Sequence, residues 1–248
     1  MVTIPVLETP SLARDGFCIF RGAVDAETVS ELLAESHRLR ADALAGNATP
    51  VEVLRVPGTG PDGPIRALRN VTRGSAHFAK AVADQIMARP LVPPEVPLHW
   101  VGVQSLFWKR PGDESATIGW HRDTWFRADQ AWVVERSPTY FHCALILEPM
   151  SPETGSIRLV RGSHLVGPVE RQGGSVMVTA AEPDDVRAYG LDPAAVVAVR
   201  LAPGDLLCWS VETVHASGPN LHGPGERTQF VTGWVVGGTS PVPDLVIA

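Results

Sequence analysis

The chain has 248 residues, 44% of them hydrophobic, enough for one large domain whose core needs neither a disulfide nor a structural zinc. Its 21 basic against 27 acidic side chains leave a net charge of −6, which argues against nucleic acid or anionic membrane as the main partner. No run of about 18 apolar residues and no basic, apolar leader is present, so a soluble, cytoplasmic protein is expected.

In chain order, Asp25 in "GAVDAETVSELLAESHRLRADALA" has the character of a helix N-cap, with Glu27 in the first turn. Leu32, Leu33 and Leu39 follow at mostly helical spacing and predict one amphipathic helix over 26–44. "GNATPVEVLRVPGTGPDGPIR" is rich in Gly and Pro and reads as an irregular loop. A second short helix is expected over 75–88, before the prolines of "RPLVPPEVP".

From His99 the pattern changes to short β-branched and aromatic runs: "HWVGVQSLFWK", "TYFHCALILE", "GSIRLV", "VVAVRL", "DLLCWS" and "RTQFVTGWVV". Turn signals separate them, which predicts an antiparallel double-sheet barrel with helices packed outside. The expected organisation is a single domain over 1–248, with a helical part about 1–95 and a β core about 96–240. The mixed stretch 166–198 reads as a lid or insertion. Cys18, Cys143 and Cys208, widely spaced and odd in number, read as buried small hydrophobes in a reducing compartment.

"GWHRDTWF" places His121 and Asp123 two residues apart. On a strand, such residues point the same way, and two imidazoles with one carboxylate on one face make a non-haem iron site. The triplet alone reads as a surface pair at a strand end. A third ligand must come from a distant strand, and "GDLLCWSVETVHASGPN" offers His215. Arg227 follows at the start of the next expected strand, with a guanidinium fork suited to a carboxylate. A metal triad with a buried arginine fits a small dicarboxylate of the shape of 2-oxoglutarate.

Four segments, "RDGFCIFRGAVDAETVSELL", "QSLFWKRPG…GWHRD", "ETGSIRLVRGSHL" and "APGDLLCWSVETVHASGPN", resemble in order the phytanoyl-CoA dioxygenase (PhyH-like) branch of the Fe(II)/2-oxoglutarate-dependent oxygenases. The resemblance spans roughly residues 12–236. It implies a mainly β fold with flanking helices around a double-stranded β-helix, the jelly-roll or cupin-like core. It further implies Fe(II) on His121, Asp123 and His215, and 2-oxoglutarate held by Arg227 and Ser217. O2 is then the oxidant, and succinate and CO2 are released as a small-molecule substrate is oxidised. Asp123 stands where halogenating relatives carry a small residue, which implies hydroxylation over halogenation; the alternatives are a desaturase, epoxidase or cyclase of the same family, or a catalytically silent metal- or ligand-binding jelly-roll. Gln229 departs from the family's usual small hydroxyl, and the chain is somewhat short for the branch.

The remaining residues carry two readings each. Gln104, on an expected inner strand, either touches cosubstrate or is satisfied by backbone. Trp125, Phe126 and Trp108, with Arg122 and Arg127, are candidates for the substrate wall, although a core role is the default for such aromatics. His164 reads as a loop-fixing residue, Asp205 as a turn residue, and His99, His142 and His222 as ordinary core or surface histidines.

Overall fold

Gly16, at φ +85°, turns the chain out of a short helix, α1 (Pro10–Asp15), into β1 (Phe17–Phe20). A Cβ there would come within 2.6 Å of both His164 Nδ1 and Thr213 Oγ1, so only glycine fits the turn. His164 Nε2 lies 2.9 Å from Ala13 O and ties this corner down, in keeping with its loop-fixing reading. The computed structural model describes residues 10–47, 49–56, 59–112, 117–126, 131–167, 185–221 and 225–238.

Helix α2 (Ala26–Leu44) has the expected bounds, and the Asp25 carboxylate accepts from Thr28 N at 2.9 Å. Its buried face (Val29, Leu32, Leu39 and Ala43) joins a core cluster with Phe78, Leu106 and Phe230. The stretch expected to be an irregular loop instead contributes β2 (Glu52–Arg55) and β3 (Ile65–Arg69), paired antiparallel. The Gly- and Pro-rich segment is the connection of that hairpin, and "VEVLR" and "IRALR" on either side carry the strands. The N-terminal third is therefore not purely helical.

A one-turn helix, α3 (Val71–Gly74), precedes α4 (Ala76–Ala83), which Ser75 caps through Phe78 N. Helix α4 stops five residues short of the expected end, because Gln85 takes a left-handed φ of +55° before the prolines are reached. Then come β4 (Leu98–Lys109), β5 (Ile118–His121), α5 (Ala131–Arg136), β6 (Tyr140–Ile146), β7 (Ile157–Val160), β8 (Val196–Ala198), β9 (Leu206–Ser210), β10 (His215–Ser217) and β11 (Arg227–Val236).

The strands form a seven-stranded sheet in the order β1-β9-β6-β11-β4-β3-β2 and a four-stranded sheet in the order β5-β10-β7-β8. Every pairing is antiparallel. This is the expected mainly β jelly-roll with flanking helices. Strand alternation sorts the large sheet's residues. Phe230 faces the helices, with its ring centroid 4.7 Å from that of Phe78, whereas Val231, Ile146, Leu207 and Trp209 pack toward Ile157 and Leu159 of the small sheet.

Of the stretch expected to be a lid, residues 168–184 lie outside the described residues. The part that follows packs down: Val186 and Leu191 are buried in a cluster with Trp120 and Val214. The three cysteines are buried and none is in a disulfide among the described residues. Among the described residues no helix is long and apolar enough to cross a membrane.

Candidate metal centre

Strand β5 ends on His121, and β10 begins on His215; the two are register partners across one rung of the small sheet. Asp123 is not on the strand, as the spacing suggested, but heads the 3₁₀ turn Asp123–Phe126, anchored by its N–H to Val211 O at 3.0 Å. That turn swings the carboxylate back between the rings. Oδ1 lies 3.8 Å from His121 Nε2, and Oδ2 lies 3.8 Å from His215 Nε2. These separations are too long for hydrogen bonds, yet they let both donors reach one ion at about 2.1 Å.

The tautomers follow from the neighbours. His121 Nδ1 lies 2.8 Å from Gly119 O and His215 Nδ1 2.9 Å from Thr213 O. A carbonyl only accepts, so each Nδ1 carries the proton and each Nε2 presents a lone pair to the common centre. Burial, reinforced by His215, pushes the His121 imidazole down to about 3, so it is neutral at ordinary pH. Burial alone would raise the Asp123 carboxyl. The His142 imidazole against its Oδ2 more than offsets it and holds the group well below the usual carboxylate range. Two neutral imidazoles and one carboxylate, buried and convergent, make a donor set that can hold a divalent first-row ion.

Two residues that the sequence reading passed over complete this arrangement. His142 Nδ1 lies 2.9 Å from Asp123 Oδ2, and Trp209 Nε1 donates to the same oxygen at 2.8 Å. His142 Nε2 meets Tyr140 OH at 3.1 Å, so both ring nitrogens are engaged. His142 is thus not an ordinary core histidine. Its signal was present in strand parity: it shares a face of β6 with Ala144 and Ile146, which point between the sheets.

A cavity of about 720 Å³ opens over the triad, and Gln104, Phe107, Ser217, Gln229 and Val231 line it along with the three candidate ligands. Gln104 Oε1 accepts from Thr72 N at 2.7 Å, so its carbonyl half is satisfied by backbone. Arg227 is two residues along β11 from Gln229, 1% exposed, with Nη1 donating to Gly155 O at 2.5 Å. It does not line the open cavity. Its Nε, Gln229 Oε1 and Ser156 Oγ are buried with no hydrogen-bond partner among the described residues. Burial pushes the guanidinium down to about 9.

Its register partner on β4 is Lys109, 3% exposed, a second buried cation that the sequence reading missed. Lys109 Nζ donates to Ser217 O at 3.0 Å and also contacts Ser217 Oγ and Gly218 O. Arg227, a buried cation whose named acceptor is a neutral oxygen, favours an anion beside it, because an uncompensated buried charge is costly.

The expected substrate wall fares differently. Trp108 lies on the opposite face of β4, in the helix-side core beneath Arg40, whose guanidinium carbon sits 5.5 Å from the ring centroid. Even- and odd-numbered residues of β4 face opposite ways, and Phe107 is the one toward the cavity. Arg122 turns away as well, bonding Ser163 O at 2.7 Å, Val166 O at 2.9 Å and Glu212 at 3.2 Å. Trp125 stacks at 5.9 Å on Tyr189 and does not line the cavity. Arg127 and the side chain of Phe126 lie outside the described residues, as does His222. His99 is a surface residue whose Nε2 meets Gly238 O at 3.1 Å.

The family model for phytanoyl-CoA dioxygenase (PhyH) matches residues 12–227, a span that takes in the whole constellation. The chain belongs to the PhyH family. No curated protein matches this PhyH chain at a significant level. Among solved structures it is similar to AviO1 from Streptomyces viridochromogenes Tue57, at 21% identity and TM-score 0.63, over 94% of this chain and 95% of that one. It is also similar to EctD from S. alaskensis with 2-oxoglutarate and 5-hydroxyectoine, at 21% identity and TM-score 0.65, over 91% and 73% of the two chains. A third is the epimerase SnoN in complex with Fe3+, alpha ketoglutarate and nogalamycin RO, at 20% identity and TM-score 0.60, over 91% and 80%. At these identities the likeness establishes the fold that the PhyH family shares.

Proposed function

We propose that this PhyH protein is an Fe(II)- and 2-oxoglutarate-dependent oxygenase that hydroxylates a small molecule, with release of succinate and CO2. The observation that carries the reading is the pairing of two features. A convergent His121–Asp123–His215 donor set stands beside a cavity, and the fully buried Arg227 has only a backbone carbonyl as its named partner. In this reading the three ligands hold Fe(II), and Arg227 with Lys109 and Ser217 binds the distal carboxylate of 2-oxoglutarate. Once bound with 2-oxoglutarate and O2, the iron supplies the oxidising power.

The chain's own residues do the placing. The Gly119 and Thr213 carbonyls hold both imidazoles in the ligating tautomer. His142 and Trp209 occupy Asp123 Oδ2, which leaves Oδ1 to the metal. Phe107, Ile157 and Val231 supply an apolar part of the cavity wall beside the triad. With a metal bound, Asp123 would take the place that a halide needs, which favours hydroxylation over halogenation. The solved relatives include an epimerase and a carbocyclase from nogalamycin biosynthesis, so the same scaffold admits other outcomes set by substrate placement. A role in secondary metabolism follows the same lead.

The test is anaerobic addition of Fe(II) and 2-oxoglutarate. A visible charge-transfer band is expected, together with slow O2-dependent succinate release on admitting air. A protein that binds Fe(II) but gives neither band nor succinate overturns the reading.

A further inference from the structure

The cavity over the triad is bounded on another side by the β2–β3 hairpin, and three arginines of that hairpin line it: Arg55, Arg66 and Arg69. Asp123 is the only carboxylate among the described residues lining it, and that group is assigned above to the metal. Arg55 Nη1 donates to the Gly63 carbonyl at 2.5 Å, a neutral partner that holds the guanidinium in place without cancelling its charge. Arg69 reaches Glu52 only at 3.8 Å, with both side chains about half exposed, an ion pair of little consequence in water. Arg55 and Arg66 are half-buried. This local charge runs against the net charge of −6 of the chain, so it is not a general basic surface spilling into the cavity.

We infer that the substrate carries an anionic group, a carboxylate or a phosphate, which Arg55 and Arg69 of the hairpin bind while the rest of the molecule lies along the apolar part of the wall toward the triad. The inference rests on the oxygenase reading and deepens it by naming a substrate class. In the oxygenase reading a dianionic cosubstrate is matched by the metal and Arg227, so Arg55 and Arg69 are left to a second anion. Guanidinium forks bind carboxylate and phosphate oxygens in pairs. A cavity with low-dielectric walls strengthens that attraction and draws anions in.

The test uses one skeleton with four headgroups: 4-phenylbutyrate, 3-phenylpropyl phosphate, 4-phenylbutyramide and 4-phenylbutylamine. Each is titrated calorimetrically into protein saturated anaerobically with Fe(II) and 2-oxoglutarate, so the cosubstrate site is closed to the probe. The acid or the phosphate is expected to bind at least tenfold more tightly than the amide, and the amine not at all. The tighter of the two anions identifies the headgroup. In the double variant Arg55→Gln/Arg69→Gln the preference is expected to fall to within about twofold, with the charge-transfer band unchanged. Equal binding of amide and anions, no binding by either anion, or a preference that survives in the double variant overturns the inference. Absence of the band in wild-type protein strikes instead at the oxygenase reading, and the same four titrations on metal-free protein then still decide the anion preference.

Discussion

The imidazole of His142 stands 2.9 Å from the Asp123 carboxylate on the oxygen that Trp209 also holds, and so the carboxylate enters the candidate metal site already oriented. Partners of this kind fix ligand geometry, and their loss typically costs about 10–100-fold in metal affinity. His142→Phe is therefore expected to weaken Fe(II) or Co(II) binding by about that factor in an anaerobic titration. His142→Gln, whose amide can still donate, should recover part of it. Equal affinity in all three proteins would show that Asp123 needs no such support.

Arg227 separates binding from stability. Removing one partner of a buried charge pair costs about 2–5 kcal/mol, so Arg227→Met should raise the Kd for 2-oxoglutarate at least thirtyfold while metal binding persists. In ligand-free protein the same change removes a buried cation whose named partner is one carbonyl. Its thermal midpoint should therefore hold or rise. Calorimetry of 2-oxoglutarate binding and a melting curve on the same sample check both halves.

Gly155 sets the floor under that arginine. It sits at φ +72°, and a Cβ there would lie 2.3 Å from Gly218 O and 2.5 Å from Pro219 O, both backbone. Gly155→Ala is expected to cost at least about 3 kcal/mol in denaturant unfolding, from left-handed strain plus that collision. The 2-oxoglutarate affinity should drop with it, since Gly155 O is Arg227's acceptor.

Asp205 supplies a pH signature. Burial opposes its ionisation, but the N–H groups of Ala202 and Gly22 and the Arg21 guanidinium outweigh it and hold the carboxyl below its reference value of 3.8. A carboxyl with a lower pKa in the folded than in the unfolded chain stabilises the fold above about pH 4, and that contribution fades as the pH falls through the folded value. Asp205→Asn should cost about 1–3 kcal/mol at pH 7, and its unfolding midpoint should fall less steeply than wild type below pH 4.

Much of this was legible along the chain. The α2 cap, the strand runs from His99 onward and the triad were readable because each has a local signature: a capping side chain, a β-branched run, or a motif in family order. What escaped depended on parity and on pairing across distance. Trp108 and Phe107 are adjacent aromatics, and only the register of β4 decides which one meets the cavity. Lys109 gave no sign of burial until Arg227 appeared beside it on the neighbouring strand. His142 reads as a core residue in isolation, and its meaning comes from a carboxylate on the turn that follows β5. The β2–β3 hairpin was hidden by the glycines and prolines of its own connection.

The rung that sets His121 opposite His215 joins two segments far apart in sequence, at the edge of a sheet only four strands wide. An ion held there is a crosslink as much as a reagent: it ties an edge of the barrel that strands of four and three residues hold together. By mass action, a metal present at 100 times its Kd raises stability by about 2.7 kcal/mol. The protein's melting behaviour should therefore report metal supply, with chelation loosening the small sheet while the helix-backed large sheet stays intact.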